Sequence, residues 1–105
     1  MKFGLQEETI DSITGCLAKN HRIEKAIIYG SRAKGNYRKG SDIDLVLKGE
    51  SLNINDVLKL ENELDELLLP YLFDISILHQ IKNPELLEHI NRIGKVFYKS
   101  TIKAE

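Results

Sequence analysis

Apolar residues follow two periods along this chain, one helical and one of strands, and the two alternate. Between Glu7 and Asn20, Ile10, Ile13 and Leu17 fall at helical spacing, with Thr14 and Lys19 off that stripe. This predicts a helix, weakened by about 1 kcal/mol at Gly15 relative to alanine. Lys25 to Tyr29 is a short apolar run of β type that Gly30-Ser31 ends abruptly. Residues 30–41 hold three glycines (Gly30, Gly35 and Gly40) and no sustained period, so they predict a connecting loop with at most a short helical turn. Asp42 to Lys48 then alternates. Ile43, Leu45 and Leu47 share one side of a strand, and Asp42 and Asp44 share the other, because strand side chains repeat every two residues. Asn55 to Leu69 is the strongest helix: Val57, Leu60, Leu64 and Leu67/Leu68 stand opposite Glu61, Asp65 and Glu66, and Pro70 stops it. Leu72 to Leu78 predicts a third strand, with Phe73, Ile75 and Ile77 on one face and Asp74 and Ser76 on the other. Asn83-Pro84 caps a short helix running to about Gly94, and Lys95 to Lys99 makes a last strand. The expected architecture is α/β (α+β): a small mixed β-sheet of about four strands, with helices packed mainly on one face.

Composition narrows the possibilities further. At 105 residues the chain has room for one core, hence a single domain over 1–105. Hydrophobic residues make up 42% and charged residues 30%, which separates it from disordered sequences. Fifteen basic against sixteen acidic side chains leave a net charge of -1, which argues against an extended nucleic-acid surface. No apolar run approaches the eighteen residues of a membrane span, and Met1-Lys2-Phe3-Gly4 lacks the apolar stretch of a secretion signal. Cys16 is the only cysteine, so neither an internal disulfide nor a zinc pattern is available. A cytoplasmic location is the default expectation.

The chemistry concentrates in two segments. Aspartate is depleted in strands, and neighbouring carboxylates repel, yet Asp42 and Asp44 share a strand face and Asp74 lies in another strand. A compensating hard cation, Mg²⁺ or Mn²⁺, would make such a cluster tolerable; a turn cap and a solvated sheet face would do so equally. Upstream, Gly30-Ser31 follows an apolar strand, where glycine lets backbone N–H groups approach an anion and serine adds a donor. Arg32, Lys34, Arg38 and Lys39 then place four cations in eight residues, suited to a polyphosphate or simply to a solvated loop. Gly30 to Gly35 satisfies G-x-x-x-x-G, but Asn36-Tyr37 follows where a P-loop requires Lys-[Ser/Thr], so a P-loop is excluded.

Gly30-Ser31, ten residues, then Asp42-Ile43-Asp44 resembles the G-S-x10-D-x-D signature of the minimal nucleotidyltransferases, within the DNA polymerase β-like nucleotidyltransferase superfamily. The wording Tyr-Gly-Ser-Arg-Ala-Lys-Gly and Gly-Ser-Asp-Ile-Asp-Leu is close to that family's, and Asp74 matches its third carboxylate. The resemblance implies the nucleotidyltransferase fold and Mg²⁺-dependent transfer of a nucleoside monophosphate, AMP from ATP, to a hydroxyl. It assigns two Mg²⁺ ions (or Mn²⁺) to Asp42, Asp44 and Asp74, which are then the catalytic and metal-binding residues. Gly30 and Ser31 would hold the β- and γ-phosphates, Arg32 and Lys34 would neutralise them, and Ser41 would join the nucleotide site. The chain is too short for the acceptor-binding domain of larger members. The resemblance therefore implies a small helical HEPN-type protein, encoded nearby, as partner and target, as in toxin–antitoxin pairs, and a homo- or hetero-oligomer. Two other readings compete: a non-catalytic antitoxin that acts by occlusion, and a small-molecule transferase of the aminoglycoside type.

The remaining chemistry-bearing residues carry less. His21, His79 and His89 are not at metal-ligand spacing and are expected outside the chemistry. Cys16 reads as a core or boundary residue. Ser76 shares Asp74's strand face, Tyr37 sits in the basic loop, and Leu67-Leu68-Leu69 reads as core.

Overall fold

Helix α1 (Glu7–Ala18) presents Ile13, Cys16 and Leu17 to the interior, and strand β1 (Lys25–Tyr29) follows it. Gly30 then turns the chain into a short helix, α2 (Gly30–Lys34), where the sequence predicted mostly loop, and strand β2 (Ile43–Lys48) comes next. The rest is helix α3 (Ile54–Glu66), strand β3 (Phe73–Ile77), a 3-10 turn at Leu78–Gln80, helix α4 (Pro84–Ile93) and strand β4 (Lys95–Lys99). The computed structural model describes residues 1–101, so the last four residues of the domain assigned to 1–105 lie outside the described residues. Among the described residues no helix is long and apolar enough to cross a membrane.

The four strands form one sheet in the order β3-β2-β1-β4. β1 is antiparallel to β2 and β4, whereas β2 and β3 are parallel. A parallel neighbour cannot be reached by a tight turn, and α3 supplies the crossover. A capping box places its start at Ile54, one residue before the expected Asn55. The Asn53 side chain accepts from Asn55 N–H at 2.9 Å, and the Asp56 carboxylate accepts from Asn53 N–H at 2.8 Å. At the other end Leu68 takes φ 54 and is 89% exposed, so the helix stops before the predicted Leu69. Leu67 and Leu69 still pack against the core, which splits a run that the sequence read as wholly interior.

Alternation along β1 and β2 decides the layering. Ala26, Ile28, Ile43, Leu45 and Leu47 line one face and are fully buried under α1 and α3. The other face carries Ile27, Tyr29 and Val46, and α4 covers part of it through Ile90 and Leu86. Helices thus lie mainly on one face, as expected, with α4 as the exception. α4 is drawn there because Ile27 and Val46 are apolar at positions that would otherwise face water. Its start is fixed by Asn83, whose side chain accepts from Glu85 and Leu86 N–H.

Candidate active site

The sheet register brings together residues that are far apart in sequence. Asp44 pairs with Tyr29 on one side and with Asp74 on the other, so the three side chains form a row across β1, β2 and β3 on the face that α4 only partly covers. Asp42 precedes β2 by one residue and is exposed, as is Asp74, while Asp44 is half-buried. Burial, and then the charges of Asp74 and Asp42, push the Asp44 carboxyl above the ordinary aspartate value of 3.8, against an opposing effect from His89. The Asp44 carboxylate therefore feels the charges of both Asp74 and Asp42 at one corner of the sheet. Burial also raises the Tyr29 phenol; a hydrogen bond from Ser76 opposes this, and the Asp74 and Asp44 charges add to it. Ser76 thus borders the carboxylate row.

Gly30 stands directly against this row. It takes φ 72, and a Cβ on it would run into the Asp44 carboxylate, so no other residue fits without displacing a site side chain. Ser31 follows it, half-buried, on the first turn of α2. The Gly30 N–H donates to His89 Nε2 at 3.3 Å, and the His89 ring meets Tyr29 edge-on with centroids 6.1 Å apart. The sequence alone leaves His89 outside the chemistry, because it has no partner at metal-ligand spacing. A signal was nonetheless present, since it sits beside Ile90 and three residues after Leu86, a polar residue bordering the apolar stripe of α4.

The basic segment divides in two. Lys34, Arg38 and Lys39 are exposed. Arg32 is buried at 3% exposure, with Nε donating to the Ser41 carbonyl at 3.0 Å and Nη1 donating to the Phe3 carbonyl at 2.8 Å. Its guanidinium also lies 4.9 Å from the Tyr71 ring centroid and 5.5 Å from that of Tyr37. Two of its donors thus bind the N-terminal segment to the loop before β2. Ser41 is also engaged within that loop: its hydroxyl accepts from Arg38 N–H at 2.8 Å.

The donors at this corner suit a hard divalent cation. They are carboxylate oxygens, the proton affinity of Asp44 raised by burial and by the charges of Asp74 and Asp42, and no ion pair neutralises Asp42, Asp44 or Asp74 among the described residues. As placed, no three His, Cys, Asp or Glu side chains enclose an ion among the described residues. A cleft of about 480 Å³ between α3 and β3, lined by Leu58, Glu61, Asp65 and Phe73, lies on the other side of the sheet and offers no cation to a phosphate. The raised Asp44 carboxyl has a consequence for stability. The folded chain binds its proton more tightly than the unfolded chain, so this contribution is complete below pH 3.8 and is lost as pH rises through the higher folded value. Chemical denaturation in divalent-free buffer should show wild type losing stability over that interval relative to Asp44→Asn. Identical pH curves would contradict the raised carboxyl.

Comparison with known proteins agrees with this geometry. The family described as polymerase beta, nucleotidyltransferase, matches residues 11–103. A chain from a toxin–antitoxin crystal structure with AMP-PNP superposes with a TM-score of 0.69 at 19% identity, covering 92% of this chain and 76% of that one. A chain from a complex of tri-AMPylated Shewanella oneidensis HEPN toxin with MNT antitoxin gives 0.68 at 17% identity, covering 91% and 74%. One from the MntA–HepT toxin–antitoxin gives 0.67 at 18%, covering 90% and 74%. At these identities the likeness is one of fold. No curated protein sequence matches. A profile match over most of the chain, together with a row of carboxylates against a Gly-Ser turn, places the protein in the polymerase β nucleotidyltransferase family.

Proposed function

We propose that this nucleotidyltransferase moves AMP from ATP to a hydroxyl of a small helical protein partner of the HEPN type, acting as the antitoxin of a toxin–antitoxin pair. The observation that carries the reading is the Asp44–Asp74 pair, in register on adjacent strands, beside the Gly30–Ser31 turn. The fold-level neighbours support the context, since they include a complex with AMP-PNP and one with an AMPylated HEPN toxin.

In this reading the acceptor oxygen bonds to the α-phosphorus of ATP, the bond from that phosphorus to the bridging oxygen breaks, and pyrophosphate leaves. Two Mg²⁺ ions on Asp42, Asp44 and Asp74, with Mn²⁺ as a substitute, would neutralise the phosphates and align the attacking and leaving oxygens. Asp74, exposed on the edge strand β3, orients the acceptor hydroxyl and receives its proton. The Ser31 hydroxyl holds the β- and γ-phosphates, and Gly30 allows their close approach by carrying no side chain. Lys34, with Arg38 and Lys39, supplies the positive field along the approach. Positioning and charge account for the catalysis, so a chain of 105 residues is enough to contain it.

The test uses Mg²⁺, ATP labelled at the α-phosphate and the product of the adjacent open reading frame. Label is expected on a hydroxyl of that protein, with pyrophosphate released in equal amount. If the chain neither binds AMP-PNP nor labels any acceptor, the proposal fails.

A further inference from the structure

His89 reaches the turn from 59 residues away in sequence, on a helix that contributes no other polar contact to it among the described residues. α4 holds it firmly. Asn83 caps the start of the helix, Ile90 is buried against Tyr29 and Val46, and Gly94 ends the helix so close to β1 that a Cβ there would lie 2.8 Å from Ile27 Cγ2. The turn it meets has little rigidity of its own. Glycine populates positive and negative φ with similar ease, so φ 72 at Gly30 must be selected by its surroundings. His89 Nε2 is placed to do so by accepting the Gly30 N–H, while the Asp44 carboxylate fills the space that a Cβ would take. Accepting at Nε2 places the imidazole proton on Nδ1. The bond also removes the Gly30 amide from the donors available to a triphosphate, which leaves that task to Ser31.

We propose that His89 is a positioning residue that holds the Gly30–Ser31 turn in its left-handed conformation through the Gly30 amide, and so fixes both Ser31 and the seat of the Asp44 carboxylate. The role in transfer rests on the function proposed above; the hold on the turn does not. A turn free to flip would let Ser31 swing while Asp42 and Asp74 stayed in place. Misplacing a reacting group by about 1 Å costs on the order of 10²-fold in rate. His89 touches no reacting atom, so its loss should lower kcat more than it raises KM for ATP.

Three variants separate this role from packing. His89→Phe keeps a ring against Tyr29 but has no acceptor, His89→Gln keeps an acceptor near the position of Nε2 without the ring, and His89→Ala keeps neither. Amide NMR on metal-free protein reads the turn itself. In His89→Phe and His89→Ala the Gly30 N–H is expected to shift and to exchange at least about 10-fold faster, with Ser31 shifting too. His89→Gln should stay near wild type, and Ile28 on the preceding strand β1 should not change. In the transfer assay, Phe and Ala variants should lose roughly 10- to 100-fold in kcat, and Gln should recover most of it. Equal Gly30 exchange in wild type and His89→Phe would overturn the proposal, as would a Phe variant transferring at the wild-type rate. If wild type itself transfers nothing, the functional reading falls, and the amide comparison still decides whether His89 holds the turn.

Discussion

Asp44→Asn should abolish transfer, by about 10³-fold or more, and at the same time leave a protein that melts higher than wild type in divalent-free buffer. A 10³-fold loss is about 4 kcal/mol of transition-state stabilisation, the scale expected when an anionic ligand of the catalytic cations becomes a neutral amide. The opposite effect on stability comes from the register. Asp44 stands beside Asp74 on the neighbouring strand, half-buried, with its carboxyl already pushed up by burial and by Asp74 and Asp42. Like charges placed opposite each other in a sheet cost roughly 0.2–1 kcal/mol, so removing one should raise the melting temperature by a few degrees. Mg²⁺ should then stabilise wild type and not the variant. A variant that keeps activity, or that melts lower than wild type without Mg²⁺, would show that these carboxylates are not a cation site.

Arg32→Ala is expected to cost about 2–4 kcal/mol of folding stability, a loss on the order of 10–20 °C. The side chain is buried and supplies donors to the carbonyls of Ser41 and Phe3, and without it both lose their partner in a place water reaches poorly. The Tyr71 and Tyr37 rings lose their cation as well. Arg32→Lys should recover little, because the N–H groups of an ammonium radiate from one atom and do not span the separate Nε and Nη1 positions that reach the two carbonyls. Hydrogen exchange should show the residue 1–5 and 36–41 segments loosening together. The role suggested by the family resemblance makes a different forecast: unchanged melting with a raised KM for ATP. Thermal melts and nucleotide titration of the same variant decide between the two.

These two residues show how far the sequence alone can be read. Alternation placed Asp42 and Asp44 opposite Ile43, Leu45 and Leu47, and the structure keeps Asp44 on that polar face. The Gly-Ser turn after an apolar strand was equally legible, since only a residue lacking Cβ fits where the chain must turn against a carboxylate. Arg32 was not legible: a cation beside a phosphate-type turn looks the same whether its fork ends on a phosphate or on two backbone carbonyls. His89 was missed for a related reason. Its partner is a backbone amide, and backbone groups leave no mark on a residue pattern.

What the amino-acid order determined by itself is therefore periodic and local: the four strands, the helices other than α2, the face Asp44 takes, the glycine turn and the Asn83 cap. The tertiary structure alone decided that β3 lies parallel beside β2, which sets Asp74 level with Asp44. It also decided that α4 crosses to the second face and carries His89 to Gly30. The physical reason is that both depend on how separate elements bury their apolar faces against one another, and that choice depends on all of them together.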